Sequence, residues 1–290
     1  MALDALEVAC GDLSAAASPL GAELVSLRRA GEEVIWQAGP TWPRHSPLLF
    51  PVVGRLRGDS YRYDGQSFAL PKHGFARDMR FAGTRLGPER IRFALEDDAV
   101  TRAAYPFRFR LVLTYTLHPD RLVIDYTVAN AGDQPMPFSI GAHPALRWPL
   151  RRDKTDHWVL FDADETAPVR RIENGLLGPD RESPVRGRRL DLDEALFAED
   201  ALIFTRVASQ ALVFGVGDEG CVRVAWEGFR HLGLWSRPGG DFLCVEPWHG
   251  YDSSPQDPDE LVAKPGIIVL VPNAEARFAL TLAPLAGVLR

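Results

Sequence analysis

The sequence contains little cysteine. Cys10, Cys221 and Cys244 lie far apart in a chain of 290 residues, and no two of them form a Cys-x-x-Cys pair. An odd number of widely spaced cysteines supports neither a disulfide framework nor a zinc ribbon. We therefore interpret each cysteine as a small apolar residue of the interior.

Long apolar runs and blocks of basic residues are also missing. No stretch of about 18 apolar residues predicts a membrane span, and residues 1–13 have neither the basic leader nor the apolar segment of a signal peptide. The formal net charge is -6, and no cluster of lysine and arginine suited to phosphate backbones is present. We therefore expect a cytoplasmic protein that binds neither nucleic acid nor membranes; the sequence predicts no oligomeric state.

Helical periodicity is scarce, and Asp193 to Phe197 is the single short helix that the pattern predicts. Alternation of apolar and polar residues is clear instead. It runs over residues 107–117, stops at Pro119 and Asp120, and resumes over residues 122–128. A period of two on both sides of a turn predicts a β-hairpin with one face in the core.

Shorter strand-like segments recur along the chain, and turn residues separate most of them. They cover residues 23–27, 33–37, 91–95, 158–161, 211–216, 221–226, 242–245, 267–271 and 276–282. No βαβ alternation is visible, and residues 167–189 form a long connection rather than a domain linker. Many short strands with Gly- and Pro-rich connections predict an all-β sandwich or barrel. Because such sandwiches reach this size as one unit, a single domain over residues 1–290 is expected.

Three segments place titratable side chains beside glycine or proline: residues 71–77 (PKHGFAR), 140–145 (IGAHPA) and 242–250 (FLCVEPWHG). Glu246 ends an apolar run and precedes Pro247, which predicts a carboxylate at a sheet margin. Partial burial raises the pKa of a carboxyl group and suits it to general-base catalysis. The alternative is a structural ion pair with Arg55 or Arg77.

Two histidines accompany this glutamate. His143 stands between Gly141 and Pro144, after a strand-like segment, so its imidazole is expected to project from a strand end and to donate a proton. The alternative is a histidine held by a backbone carbonyl. His73 is followed by Gly74, which permits close approach of a ligand. Taken alone, however, His73 favours a structural role.

No metal or cofactor is predicted. Glu246, His249, His73 and His143 are chemically suitable ligands, but no HxH or HExxH spacing on a helix supports such a site. A Gly-rich phosphate loop and a GxSxG motif are both missing. Trp235 and Trp248 are candidates for stacking on a sugar face, with a place in the core as the alternative.

Taken together, these segments resemble the aldose 1-epimerase family, also called galactose mutarotases. The matching stretches, in the family order, are SPLLFPVVGRLRG (46–58), LPKHGFARDMRF (70–81), IGAHPAL (140–146), LFAEDALIF (196–204) and LGLWSRPGGDFLCVEPWHG (232–250). The resemblance implies a large antiparallel β-sandwich, often called a supersandwich. It also implies an isomerase that interconverts the α and β anomers of an aldose without metal or cofactor.

The resemblance assigns roles to individual residues. It implies that Glu246 is the general base, that His143 is the general acid, and that His73 binds the sugar near the ring oxygen. Arg55 and Arg77 are similar to substrate-contacting positions, and Asp200 to an aspartate that binds sugar hydroxyl groups. Trp235 and Trp248 complete the predicted substrate-binding set.

The sequence departs from the classical galactose mutarotases by carrying the HGFAR form of the histidine segment. This form resembles a bacterial branch of unassigned sugar preference and the hexose-6-phosphate 1-epimerases, in which arginines surround the phosphate. The Arg-Gly-Gly stretch usual in the latter is replaced here by residues 42–47 (WPRHSP), so Arg44, Arg55 and Arg77 are only candidates for that role. A non-catalytic carbohydrate-binding sandwich is a further alternative, although the presence of both Glu246 and His143 favours turnover.

Overall fold

A computed structural model describes residues 4–285 of the chain. The strands are β1 (Leu6–Cys10), β2 (Leu13–Ser18), β3 (Glu23–Arg29), β4 (Glu32–Glu33), β5 (Leu48–Leu49), β6 (Ser60–Tyr63), β7 (Gln66–Ala69), β8 (Ala82–Gly87), β9 (Arg90–Glu96), β10 (Phe109–Leu117), β11 (Leu122–Asn130), β12 (Met136–Phe138), β13 (Ile140–Ala142), β14 (Ala145–Arg147), β15 (His157–Phe161), β16 (Ile172–Glu173), β17 (Leu176–Leu177), β18 (Arg189–Asp191), β19 (Leu202–Phe204), β20 (Ala211–Val216), β21 (Glu219–Glu227), β22 (His231–Trp235), β23 (Phe242–His249), β24 (Ile268–Leu270) and β25 (Glu275–Pro284). One α-helix, α1 (Ala99–Ala104), and 3₁₀ turns at Arg57–Asp59, Ala76–Asp78, Lys154–Asp156, Glu194–Phe197 and Leu261–Ala263 complete the described elements. None of these helices has the length and apolar character needed to cross a membrane.

Two large antiparallel sheets form the body of the protein. The larger has nine strands in the order β18-β15-β20-β21-β25-β11-β10-β9-β8, and the smaller runs β19-β22-β23-β13-β5 with β14 also paired to β23. Leu111 and Ile124 from the larger sheet share one buried apolar cluster with Leu234 and Val245 from the smaller. The core therefore lies between the two sheets, which confirms the predicted all-β antiparallel sandwich.

The hairpin predicted from alternation is confirmed. Strands β10 and β11 pair antiparallel along their whole length, with Leu111 opposite Val128, and the apolar residues at the alternate positions assigned to the core are buried. The short helix predicted near residue 193 is present as the 3₁₀ turn Glu194–Phe197, and the Asp193 carboxylate accepts a hydrogen bond from the Ala195 N–H. The long connection over residues 167–189 contains the small hairpin β16–β17.

The strand predicted over residues 33–37 is wrong beyond Glu33. One Glu33 carboxylate oxygen accepts hydrogen bonds from the backbone N–H groups of Leu27, Val34 and Ile35. Beyond Glu33 the chain leaves β3: Trp36 N–H donates to Ala145 O of β14, and Ile35 forms only an isolated bridge with Leu146.

Candidate functional site

Strand β23 places its side chains alternately on the two faces of the smaller sheet. Leu243 and Val245 belong to the core between the sheets, whereas Cys244 and Trp248 belong to separate clusters on the outer face. Glu246 lies between these two residues in the alternation. Its carboxylate therefore stands on the outer face, away from the main core.

The expectation that Glu246 ends a strand at the sheet margin is wrong. Strand β23 continues to His249, and Glu246 lies in its interior with only 2% of its surface exposed. Pro247 is tolerated there because the backbone nitrogens of residues 245 and 247 face the same side, where Val245 N–H donates to Pro144 O. That side is the break between β13 and β14. No paired strand there needs a hydrogen bond from the backbone nitrogen of residue 247, which proline could not donate.

His143 occupies this break and directly faces Glu246. Strand β13 pairs with β23 before the break, and strand β14 pairs with β23 after it. The pairing register is the same on both sides of the break. His143 and Glu246 are therefore cross-strand neighbours, although they lie far apart in sequence. His143 Nε2 is 3.1 Å from Glu246 Oε2, and both side chains are buried.

His73 approaches the pair from a separate loop. Its backbone N–H donates to Gly54 O at 2.8 Å, and the Gly54 N–H donates to its Nδ1 at 3.1 Å. Because Nδ1 accepts a hydrogen bond, the neutral ring carries its proton on Nε2. The His73 and His143 rings are 5.9 Å apart between centroids, at an angle of 81°. His73 is thus held as a hydrogen-bond donor beside the pair.

An open cleft of about 230 Å³ brings most of the predicted site residues together. The predicted residues that line it are His73, Arg77, His143, Asp200, Trp235, Glu246 and Trp248. Arg55 is the exception, since its half-exposed guanidinium pairs with Asp59 at 3.0 Å. Neither Arg55 nor Arg77 forms an ion pair with Glu246 within residues 4–285, so the structure does not support that alternative for the glutamate.

Among the other residues that line the cleft, three with an aromatic or charged side chain were not selected from the sequence: Trp42, Lys72 and Asp252. Trp42 stacks on His143, with 5.1 Å between ring centroids and 24° between planes. Asp252 is 2% exposed, and its Oδ1 accepts a hydrogen bond from the Arg55 N–H at 2.7 Å. Lys72 stands directly before His73 within a segment that the sequence did single out, whereas Asp252 lies just beyond one.

Burial shifts the pKa values of the facing pair in opposite directions. It raises the pKa of Glu246 well above the usual value; Lys72 opposes the shift, and Asp200 and Asp252 reinforce it. Burial lowers the pKa of His143 to about 3, with smaller contributions from nearby cations such as Lys72. The pKa of His73 is also well below its usual value because that ring is buried. Burial in the cleft therefore disfavours the charged form of each of these three groups.

The Trp248 ring lies over two glycines of the neighbouring strands. A Cβ atom added at Gly141 or Gly233 would lie 2.6 Å from an atom of the indole. We expect Gly233→Ala to displace the ring and to lower the free energy of unfolding by about 1–3 kcal/mol, as overpacking does. Chemical denaturation measures this loss. Gly87→Ala is the control, because nothing lies within 4 Å of a Cβ added there; equal unfolding midpoints for the two variants would contradict the expected clash.

Comparison with known proteins places the chain in a family. The family described as Aldose 1-epimerase matches residues 4–196, a range that includes His73, Arg77 and His143, whereas Glu246 lies beyond it. The chromosomal protein LacX of Lactococcus lactis subsp. lactis is 31% identical over 269 residues, which cover 87% of this chain and 90% of LacX.

Solved structures agree with this placement. A galactose mutarotase related enzyme from Lactobacillus acidophilus superposes with a TM-score of 0.91 at 29% identity, over 98% of each chain. A galactose mutarotase-like protein from Lactobacillus casei gives a TM-score of 0.88 at 27% identity, over 96% of this chain and 99% of the other. The mutarotase-like sandwich that the resemblance implied is thereby confirmed, and the chain belongs to the aldose 1-epimerase family.

Proposed function

We propose that the protein is an active aldose 1-epimerase in which Glu246 and His143 carry the proton transfers. The observation that carries this proposal is the 3.1 Å contact between His143 Nε2 and Glu246 Oε2 beside an open cleft. Anomer interconversion moves protons at two oxygen atoms, the anomeric hydroxyl and the ring oxygen, which are bonded to the same carbon. A base and an acid in contact with each other therefore match the two positions at which protons must move.

Ring opening then follows from the two groups acting together. In the reactive state the one proton of the pair lies on His143, so that Glu246 is a carboxylate. This carboxylate takes the proton of the anomeric hydroxyl, and that oxygen forms the aldehyde C=O as the bond from C1 to the ring oxygen breaks. The ring oxygen keeps the bonding electrons and takes a proton from His143. After rotation about the C1–C2 bond, the same proton transfers run in reverse and close the ring on the other face.

His73 supports this step as a hydrogen-bond donor. Because its Nδ1 accepts from Gly54 N–H, its neutral Nε2–H is the ring's donor. A neutral donor near the ring oxygen stabilises the negative charge that develops there during opening. Trp42, Trp235 and Trp248 supply apolar surface around the cleft, which suits the C–H face of a sugar ring.

The mechanism requires the pair to hold one proton between its two members. When both residues are protonated, Glu246 is no longer a base. When neither is protonated, His143 is no longer an acid. We therefore expect kcat/KM to fall both at low and at high pH, with two apparent pKa values that belong to the pair rather than to either residue. A profile measured by anomer exchange tests this; a rate independent of pH across both limbs would contradict the shared proton.

The activity itself is tested with freshly dissolved α-glucose and α-galactose. Polarimetry follows the approach to anomeric equilibrium, and NMR exchange spectroscopy follows interconversion at equilibrium. We expect both rates to rise in proportion to enzyme concentration above the spontaneous rate. A protein that binds the sugar without accelerating exchange would instead be a carbohydrate-binding sandwich.

A sugar 6-phosphate is a second candidate substrate, and the cations along one part of the cleft favour it. Lys72 and Arg77 line the cleft. The positive charge of Arg44 is close enough to lower the pKa values of His73 and His143. Arg44 and Arg77 both pair with Asp78, at 2.8 Å and 3.6 Å, while Arg77 Nε has no hydrogen bond within the described residues. These cations match an anionic substituent. Exchange assays with glucose, galactose and their 6-phosphates distinguish the two substrate classes by kcat/KM.

Asp252 is expected to bind a sugar hydroxyl group. Asp252→Asn keeps the shape and the acceptor for Arg55 N–H but removes the negative charge. Because hydrogen bonds to charged groups contribute about 1.5–3 kcal/mol, we expect KM to rise roughly 10- to 150-fold while kcat changes little. Asp59→Asn, which alters an exposed partner of Arg55 outside the cleft, is the control. Unchanged KM in Asp252→Asn would remove this residue from the substrate site.

A further inference from the structure

Cys244 stands beside the facing pair but has no part in the proton transfers. It precedes Glu246 by two positions in β23, so both side chains are on the same face of the strand. One nitrogen of His143, the sulfur of Cys244 and one carboxylate oxygen of Glu246 all lie within 4.8 Å of one another, and all three residues are buried. Sequence spacing did not reveal this set because β23 and the distant break between β13 and β14 contribute to it.

We propose that His143, Cys244 and Glu246 form a binding site for a zinc ion, and that zinc inhibits the enzyme by occupying its proton-transfer pair. The binding site stands on the geometry alone, whereas the inhibition rests on the proposed function. Imidazole nitrogen, thiolate sulfur and carboxylate oxygen are the three donor types that proteins use for zinc.

Charge balance favours a divalent ion at this position. With Cys244 as a thiolate, Glu246 as a carboxylate and His143 neutral, the two positive charges of the ion are neutralised by its own ligands. A buried complex without net charge avoids the desolvation cost that an unpaired charge would meet. A monovalent ion would leave one negative charge uncompensated in the same place.

Two of the three proposed ligands are accessible from the open cleft. His143 and Glu246 line the open cleft, whereas Cys244 packs beneath it against Phe242 and Ala145. Typical bonds of about 2.0–2.3 Å from zinc to nitrogen, oxygen and sulfur place tetrahedral ligand atoms roughly 3.3–3.6 Å apart. His143 Nε2 and Glu246 Oε2, at 3.1 Å, are already near this separation, so the movement required is an approach of up to roughly 1 Å between this pair and the Cys244 sulfur. The Glu246 side chain has the rotatable bonds for this movement. Three protein donors leave one tetrahedral position for a further ligand.

Zinc binding is expected to become tighter as the pH rises. The Cys244 thiol must lose its proton to bind the ion, and burial raises the pKa of that thiol well above its usual value. The proton that His143 and Glu246 share must leave as well. The ion therefore replaces protons at the site, and the apparent affinity follows their release.

Cobalt(II) is the spectroscopic probe for the site, because a thiolate bound to cobalt gives a near-ultraviolet charge-transfer band. We expect titration of the whole protein with CoCl₂ to produce this band, and ZnCl₂ to abolish it by displacement. Cys221→Ala, which removes another buried thiol, keeps the band, whereas Cys244→Ala loses it. Cys244→Ser provides a second test if the alanine variant does not fold. No band in the unaltered protein, or a band that survives removal of the Cys244 thiol, would overturn the site.

The inhibition is measured separately by anomer exchange. We expect ZnCl₂ to lower the rate at least tenfold at saturation, EDTA to restore it, and Cys244→Ala to shift the inhibitory zinc concentration upward at least tenfold relative to Cys221→Ala. Cobalt binding with an undiminished exchange rate would refute inhibition. A protein that shows the cobalt band but never accelerates exchange would refute the proposed function and leave the metal site standing.

Discussion

Glu246→Gln is expected to lower the enzymatic rate of anomer exchange by about 10²- to 10⁴-fold, the usual contribution of a positioned base. Glutamine has nearly the same shape and retains an oxygen that accepts hydrogen bonds, but it does not take up a proton at neutral pH. Sugar binding should therefore persist while turnover is lost. NMR exchange measures the rate, and titration calorimetry measures the binding.

The control for this substitution is Glu227→Gln, which changes an exposed glutamate in β21 of the larger sheet. This variant should keep the unaltered rate. Exchange by Glu246→Gln at the level of the control would show that the carboxylate in β23 is not the base. Loss of both binding and rate, together with a lower unfolding midpoint, would indicate structural damage instead.

His143→Gln is expected to have an effect of similar size, again about 10²- to 10⁴-fold on the exchange rate. The amide of glutamine is not an acid in the required range, so the ring oxygen must take its proton from water. The pH profile should change as well, because no shared proton remains to be lost at high pH. Weaker sugar binding is also expected, since Trp42 loses the ring on which it stacks.

His118→Gln is the matched control for this histidine. His118 lies in the turn after β10, where its backbone N–H donates to Arg121 O, and it does not line the cleft. We expect its exchange rate and its pH profile to equal those of the unaltered protein. A His143→Gln variant that keeps the high-pH limb of the profile would assign that limb to another group, with His73 the nearest candidate.

The sequence predicts the sandwich well because alternation is a local property. In the β10–β11 hairpin, residues two positions apart lie on the same face of the sheet. The alternation of apolar and polar residues therefore identifies the buried face. The extension of β23 through Glu246 was not predictable in this way. Pro247 normally ends a central strand, and it is tolerated here only because its nitrogen faces the break between β13 and β14.

The meeting of Glu246 and His143 depends on strand register, which local sequence does not fix. The resemblance to a family supplied the roles of these residues, but the cross-strand contact that explains them appears only in the structure. Asp252 was not predicted as a site residue for a related reason. Its place in the cleft depends on the backbone of Arg55, which lies far away along the chain.

Comparison of both single variants with the double variant Glu246→Gln, His143→Gln decides whether the two residues act as one unit. If one shared proton moves between them, the first substitution already abolishes the relay, so the double variant should lose no more activity than the worse single variant. The measurement is the anomer exchange rate by NMR at a fixed pH. Losses that multiply in the double variant would show two independent contributions and contradict a shared proton relay.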